Sequence, residues 1–137
     1  MGTRISPLSD VAYALLRIVA GSMFLVHGVQ KIFGVLSEHP KPEFGSQPWI
    51  GGVIELVCGA LIALGLFTSP AAFLASGTMA VAYIQFHWKF QMGANFIPTI
   101  NKGELAVLYC FVFLYFVTRG SGVWSVDAAR RRPSRGF

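Results

Sequence analysis

The polar side chains that stand inside apolar segments of this chain are its first candidates for chemistry. An ionisable group in such a segment costs about 2.5 kcal/mol or more on membrane-insertion scales, so it should have a partner or a function. Glu55, Glu104 and His27 could act as catalytic groups, because they can take up and release protons. Other side chains could hydrogen-bond a small substrate, and these are Gln30, Lys31, Gln85, His87 and Asn101.

Apolar segments of helical length carry these side chains. The sequence predicts four helices, over about residues 11–33, 49–68, 71–88 and 104–118. A helix of about 20 apolar residues crosses the hydrocarbon core of a bilayer, and these segments lie within or near that range. Tryptophans stand at the segment edges, at Trp49, Trp88 and Trp124. Amphipathic rings prefer that interfacial position, which favours membrane helices.

The composition also indicates a membrane protein. Hydrophobic residues make up 54% of the 137 residues and charged residues 12%, whereas soluble domains are about 25% charged. A disordered chain is excluded, because disorder needs high charge and few apolar groups. Cys58 and Cys110 cannot build a disulfide framework and are expected to be buried small side chains. The predicted fold class is therefore all-α, an integral membrane four-helix bundle.

The distribution of charge predicts an orientation. Four spans place both termini on one face, and that face carries Arg4, Arg119 and the tail arginines between Arg130 and Arg135. Because basic residues prefer the cytoplasmic side, we expect both termini in the cytoplasm. The predicted organisation is a cytoplasmic segment over residues 1–10, a four-helix domain over 11–119 and a basic tail over 120–137. A basic tail after an apolar helix favours anionic lipid as a partner, and no nucleic acid is expected.

Most of the polar candidates lie near the outer end of the predicted bundle, which is the end opposite the cytoplasmic termini. Glu55 lies roughly two turns from the outer end of the second helix, since a helix rises about 1.5 Å per residue. Arg17 alone lies nearer to the cytoplasm, and we expect it to be a structural polar residue within the membrane. An alternative is that Lys31, His87 and Glu104 are interfacial residues whose side chains extend to water.

Helical spacing predicts which faces meet. One face of the first helix carries Arg17, Gly21, Phe24, Gly28 and Lys31. One face of the second helix carries Gly52, Glu55, Gly59 and Ala63. Small residues let helices approach closely, so Glu55 should face a neighbouring helix. Its partner could be His27 or Arg17, and a purely structural buried pair stays an alternative.

Several kinds of site are missing from the sequence. It has no C-x-x-C pair, no glycine-rich phosphate loop and no G-x-S-x-G motif. The histidines and glutamates match no metal-binding spacing, so neither a metal site nor an intrinsic cofactor is expected. The first segment is a poor signal peptide, because Arg17, His27 and Lys31 interrupt it.

The order of these motifs resembles a known family over about residues 15–127. The first segment contains R-x3-G-x5-HG-x2-K, from Arg17 to Lys31, and the second contains Glu55. The fourth opens with Gly103-Glu104, and the motif G-x-G-x-W-S-x-D follows it from Gly120 to Asp127. This combination resembles the DoxX family of small bacterial membrane proteins.

The resemblance implies a four-helix bundle in the bacterial plasma (inner) membrane. The family is named for its similarity to the small subunit of an archaeal thiosulfate:quinone oxidoreductase, and some relatives are associated with thiol or oxidative-stress defence. For this chain it implies a redox-linked subunit that binds a quinone, or a small sulfur or thiol compound, at the outer end of the bundle. Electrons would come from a partner protein or from the substrate, and whether the chain is itself an enzyme stays open.

A second hypothesis is a non-enzymatic subunit that docks or stabilises a larger membrane complex. The small-residue faces and the lack of complete catalytic machinery favour it. A small-solute carrier is a weaker alternative, because no inverted halves are visible. The expected partners are the lipid bilayer and a membrane protein, with a homo-oligomer left open.

Overall fold

The computed structural model describes residues 7–132. Within these residues it contains helices and no strands, which confirms the predicted all-α class. The α-helices are α1 (Pro7–Phe33), α2 (Gln47–Leu64), α3 (Thr68–Ala82), α4 (Pro98–Asn101), α5 (Glu104–Arg119) and α6 (Val126–Arg131). A π-helical turn, Tyr83–Trp88, continues α3, and a 3₁₀ turn, Ala94–Phe96, precedes α4. Expectations that concern Arg4 and Arg135 lie outside the described residues.

The connection between α2 and α3 lies earlier in the chain than the sequence predicts, at residues 65–67 instead of 69–70. Helix α2 ends at Leu64 because Gly65 takes the left-handed conformation, with φ 70°, and its N–H donates to Ile62 O at 3.1 Å. Phe67 is also left-handed, with φ 49°, and α3 begins directly after it. The predicted boundary near residue 68 therefore falls inside the start of α3.

Helices α1 and α2 pack with their backbones in close approach. A Cβ added to Gly28 would lie 2.3 Å from the backbone nitrogen of Leu56, and one added to Gly59 would lie 2.5 Å from that of Leu25. These glycines are required because no side chain fits between the two helices. The packing confirms the small-residue faces that helical spacing predicts.

Aromatic side chains of α1 and α5 fill the centre of the helix assembly. Phe24 and Phe113 are buried with their ring centroids 4.7 Å apart, and Tyr109 stacks on Phe113 at 5.2 Å. Helix α3 packs against α5 and contributes small buried side chains to the same core, including Ala72 and Ala75. Large rings opposite alanines let these two helices lie close together.

The helices define two ends of the molecule. The starts of α1 and α3 lie with the ends of α2 and α5 at what we call the termini end, and the opposite ends of these four helices form the distal end. Asp10 and Arg119 are paired at 3.2 Å at the termini end. The Tyr13 hydroxyl donates to the carbonyl oxygen of Gly120 at 2.5 Å beside them. The distal end carries the two long connections, one between α1 and α2 and one between α3 and α5.

Two of the helices are long and apolar enough to cross a bilayer, Pro7–Phe33 and Gln47–Leu64. Helix α5 contains 16 residues, and α3 contains 15 before the π-helical turn Tyr83–Trp88 continues it. Neither α-helix alone reaches the roughly 20 residues that span a hydrocarbon core. The crossing of all four helices, and the side on which the termini lie, therefore stay predictions.

Candidate functional site

An ion pair joins α1 and α2 near the distal end. Lys31 Nζ lies 2.7 Å from Glu55 Oε1. Gly52, almost one turn before Glu55, makes room for the lysine, since a Cβ there would lie 2.8 Å from Lys31 Cβ. The partner of Glu55 is therefore Lys31, and the expected pairing with His27 or Arg17 is wrong.

The second oxygen of this carboxylate is buried and has no partner. Glu55 is 3% exposed, and no residue described by the structure hydrogen-bonds its Oε2 atom. The hydroxyl of Tyr109 on α5 is also buried and has no hydrogen-bond partner within residues 7–132, and that residue is 6% exposed. Leaving a buried polar group unpaired costs about 1–3 kcal/mol, and more for a charged one. Such atoms in a native fold call for an explanation, and a ligand is one.

Both of these atoms belong to side chains that line one cavity of about 790 Å³. Its volume lies within the range of about 300–1,000 Å³ that is typical of small-molecule sites. The polar residues of its wall include His27, Lys31 and His87, beside Glu55 and Tyr109. Most other wall residues are apolar. A few polar groups in an apolar cavity are the usual composition of a binding site.

The cavity opens on the side of the molecule between α2 and α3. Ile50 and Ile54 form its wall on α2, and Phe73, Leu74 and Val81 form its wall on α3. The three wall residues of α3 are 69%, 50% and 46% exposed. A ligand can therefore reach Glu55 from the side of the bundle, as well as from the distal end where Lys31 is partly exposed.

Some of the predicted site residues lie outside this cavity. Gln30 donates to the carbonyl oxygen of Leu36 at 2.6 Å, and Gln85 accepts a hydrogen bond from Gln47. Glu104 is exposed at the start of α5 and does not line the cavity. The structure thus brings His27, Lys31, Glu55 and His87 together, and Gln30, Gln85, Asn101 and Glu104 are not part of that group.

Asn101 organises the loop that covers the distal end. Its side chain donates to Asn95 O at 2.8 Å and to Tyr83 Oη at 3.1 Å, and its Oδ1 accepts from Gly103 N at 2.8 Å. Its carbonyl oxygen lies 3.3 Å from His87 Nδ1. The residue therefore contacts the cavity wall through His87 and holds that ring in place.

Arg17 has the structural contacts that its depth predicts. The side chain is fully buried, and its Nη1 atom donates to the carbonyl oxygens of Ile62 and Ala63 at 2.7 and 2.8 Å. Its Nη2 atom donates to Trp124 O at 2.7 Å. A cation at the end of α2 satisfies carbonyls that have no partner inside the helix. Arg17 thus ties α1 to α2 and to the segment after α5.

A second cavity, of about 480 Å³, lies at the termini end. Asp127 on its wall accepts hydrogen bonds from Ser121 Oγ at 2.6 Å and from the backbone N–H of Phe67 at 2.9 Å. The hydrogen bond from Ser121 is the main reason that the pKa of Asp127 lies below its ordinary value of 3.8, and the Phe67 N–H and Arg131 act in the same direction. These contacts join α6 to the turn between α2 and α3.

Tyr109 is the site residue that sequence reasoning misses. It precedes Phe113 and Phe116 at helical spacing, so it is expected to be one more core aromatic. Its depth in the sequence could have identified it, because Tyr109 lies between one and two turns into α5 and the hydroxyl of a buried tyrosine needs a partner.

Residues 7–132 contain no group of three His, Cys, Asp or Glu side chains that could hold a metal ion, and both cysteines are free.

Comparison with known proteins gives a family and two relatives. The family model DoxX matches residues 12–88. An uncharacterised protein of Haemophilus influenzae is 43% identical over 83% of this chain and 87% of its own length. A Bacillus subtilis protein that bears the name "Putative oxidoreductase CatD" is 27% identical over 86% of each chain. No solved structure gives a significant match.

Proposed function

The chain belongs to the DoxX family of membrane proteins, and from this premise we propose that its distal cavity binds a quinone, or a small sulfur or thiol compound, in a redox-linked reaction. The carrying observation is that two buried polar atoms without partners, Glu55 Oε2 and Tyr109 Oη, belong to residues lining one largely apolar cavity. A ligand with a flat apolar ring and polar oxygens would satisfy both kinds of surface.

The polar residues of the cavity suit the head group of a quinone. A quinone carries two carbonyl oxygens, which accept hydrogen bonds. Lys31 keeps N–H groups beyond the one that it gives to Glu55, and the Tyr109 hydroxyl has no other partner. Both could donate to a ring oxygen, while Phe24 and Met79 on the cavity wall offer apolar contact to the ring.

The residues of the cavity could also transfer protons to and from the ligand. Reduction of a quinone to a quinol takes up two electrons and two protons. Glu55 Oε2 has no other partner and can exchange a proton with a bound ring during the reaction, and the lysine that pairs with Oε1 is 38% exposed, which gives the pair contact with water. Two thiol groups that form a disulfide release two electrons and two protons, so a thiol substrate or a redox partner protein balances the reaction.

The Bacillus subtilis relative supports an oxidoreductase assignment, since its name gives that class of activity. The likeness covers most of both chains. Glu55 and Lys31 lie within the part of the chain that the family model matches, and Tyr109 lies beyond it.

The charges of the termini end favour the cytoplasmic face of a bacterial plasma membrane for that end. The described residues there include Arg119, Arg130, Arg131 and Arg132. Basic residues that flank membrane helices are retained on the cytoplasmic side. The distal cavity would then lie toward the outer face, where a partner protein would reach it.

Quinone analysis of the purified protein tests this proposal. The chain is extracted from its native membrane in mild detergent, and bound quinones and co-purified proteins are measured together by mass spectrometry. We expect a quinone, or a thiol- or sulfur-oxidising partner, in the wild type and loss of the quinone in the double variant Lys31→Met/Glu55→Leu. Ser121→Ala at the termini end is the matched control and should retain it. A stable large complex without quinone or thiol ligand would contradict the proposal and indicate a structural or assembly subunit.

A further inference from the structure

The cavity contains two glycines that neither backbone conformation nor helix contact requires. Gly51 on α2 and Gly77 on α3 both line it, and a Cβ added to either would meet no atom within 4 Å. By contrast, a Cβ on Gly28 would collide with α2 at 2.3 Å. Glycine inside a helix is less stable than alanine by about 0.5–1 kcal/mol. The space that these two glycines leave is the lateral opening between α2 and α3.

The walls of this opening are mostly apolar, with Thr78 as a polar residue on the α3 side. Ile50 and Ile54 line one side, and Phe73, Leu74 and Val81 line the other. A small water-soluble thiol would leave this surface uncovered. An apolar chain attached to a ring would cover it, and its burial would contribute to affinity at about 25 cal/mol per Å² of apolar surface.

The polar end of the cavity distinguishes reduced from oxidised rings. An ionised carboxylate only accepts hydrogen bonds, so Glu55 Oε2 needs a donor on the ligand. A quinone offers acceptors alone and would leave this oxygen unpaired. A quinol offers O–H groups, one of which can donate to Glu55. The hydroxyl of Tyr109 can donate or accept, so it fits either form.

We propose that the preferred ligand of the cavity is the reduced form of a lipid-soluble quinone. Its hydroxyl donates to Glu55 Oε2, Tyr109 contacts the same head group, and its apolar chain leaves sideways past Gly51 and Gly77 into the bilayer. This inference rests on the proposed function, and it chooses the tailed quinol over the oxidised ring and over small thiols.

Ligand titrations of the full chain in quinone-free lipid nanodiscs test this assignment. Bound ligand is measured by native mass spectrometry without oxygen, for a tailed quinol, the matching quinone, a quinol without a tail and a small thiol. Because an unpaired buried acceptor costs about 1–3 kcal/mol, we expect the tailed quinol to bind about 10-fold more tightly than the quinone. Binding the reduced form 10-fold more tightly raises the two-electron reduction potential of the bound quinone/quinol couple by about 30 mV. The quinol without a tail should bind at least about 10-fold more weakly, because it has no apolar chain to bury against the walls of the opening.

Two variants separate the polar and the apolar contributions. Glu55→Gln supplies an amide that both donates and accepts, so the ratio of quinol to quinone affinity should fall toward one while quinone binding persists. Gly77→Leu should weaken the tailed quinol and leave the quinol without a tail unchanged. Val19→Leu is the control, because Val19 is 54% exposed on α1 and does not line the cavity.

The outcomes distinguish this inference from the proposed function. Binding of both redox forms with equal affinity, or no effect of Gly77→Leu on binding of the tailed quinol, would overturn the inference and leave the proposed function standing. Binding of a small thiol with no ring compound bound would also overturn it, while the thiol form of the proposed function would survive. No binding of any of these ligands would overturn both.

Discussion

Each end of the molecule has a cation of α1 with different partners: Arg17 is fully buried and binds backbone carbonyls, whereas Lys31 is 38% exposed and pairs with a carboxylate. At the termini end, Arg17 gives hydrogen bonds from both terminal nitrogens to backbone carbonyls of α2 and of the segment after α5. At the distal end, Lys31 pairs with one oxygen of Glu55, and the other oxygen stays free beside a cavity of about 790 Å³. Arg17 joins helices through its two terminal nitrogens, although its Nε atom has no partner among the described residues. The Lys31–Glu55 pair leaves an acceptor free in a residue that lines a cavity.

This difference indicates how to separate structural from functional polar residues in an apolar protein. Both cations lie on the same face of α1, and neither is distinguished by residue type alone. What distinguishes them is the partner: Arg17 binds backbone carbonyls, whereas Lys31 binds a carboxylate whose second oxygen has no partner among the described residues and whose side chain lines a cavity. Arg17 should therefore govern stability, and the Lys31–Glu55 pair should govern binding.

The largest expected effect is the loss of stability on Arg17→Met. The variant removes charged hydrogen bonds to Ile62, Ala63 and Trp124, so the free energy of unfolding should fall by about 3 kcal/mol or more. Arg17→Lys keeps the charge but has one nitrogen, and it should recover only part of the loss. Denaturant unfolding in detergent micelles measures this. An Arg17→Met variant as stable as wild type would contradict the structural role.

The next effect contrasts two kinds of helical glycine. Gly28→Ala places a Cβ 2.3 Å from the backbone nitrogen of Leu56 and should destabilise the fold by about 1–3 kcal/mol. Gly77→Ala meets open space and should stabilise it by about 0.5–1 kcal/mol, because alanine favours the helix. Thermal unfolding of both variants in one detergent gives the comparison. Equal destabilisation by both would mean that Gly77 also has a packing role.

The four longer helices could be predicted from the sequence, because helical spacing is a property of one chain. The polar grouping could be predicted only in part, since Gln30, Gln85, Asn101 and Glu104 do not line the cavity. Glu55 was expected to face another helix, and it does. Its partner could not be predicted, since Lys31 and His27 are one turn apart on α1 and only the α1–α2 contact at Gly52 selects Lys31. Tyr109 was missed because the phenol fits the pattern of core aromatics, and only the three-dimensional structure shows a hydroxyl without a partner.

A smaller effect on stability, with a large effect on binding, is expected for Lys31→Met/Glu55→Leu. Replacing a buried ion pair by apolar side chains of similar size is often neutral or stabilising, so the free energy of unfolding should stay within about 1 kcal/mol of wild type or rise. Quinone binding should be lost. Unfolding and native mass spectrometry on the same preparation provide both values, and a fold that collapses would show the pair to be structural.

The smallest effect is a pH dependence at the termini end. The folded state holds the pKa of Asp127 below 3.8, mainly through the hydrogen bond from Ser121. The ionised group therefore stabilises the fold above that ordinary value, and its contribution is lost as the pH falls through the lower pKa of the folded state. The melting temperature of wild type should approach that of Asp127→Asn as the pH is lowered from 6 toward 2, about the range over which a carboxyl of low pKa titrates. A constant difference between the two would contradict this contribution.

Photoaffinity labelling tests the central claim most directly, because it asks which end of the molecule holds the ligand. A tailed quinone with a photoreactive group is added to the protein in nanodiscs, with and without excess unlabelled quinol, and the adducts are located by peptide mass spectrometry. We expect displaceable adducts in residues 47–56, 73–82 and 105–109, which line the distal cavity, and none in Lys31→Met/Glu55→Leu. Adducts confined to residues 67–70 and 119–131 at the termini end, or adducts that excess quinol does not displace, would contradict the assignment.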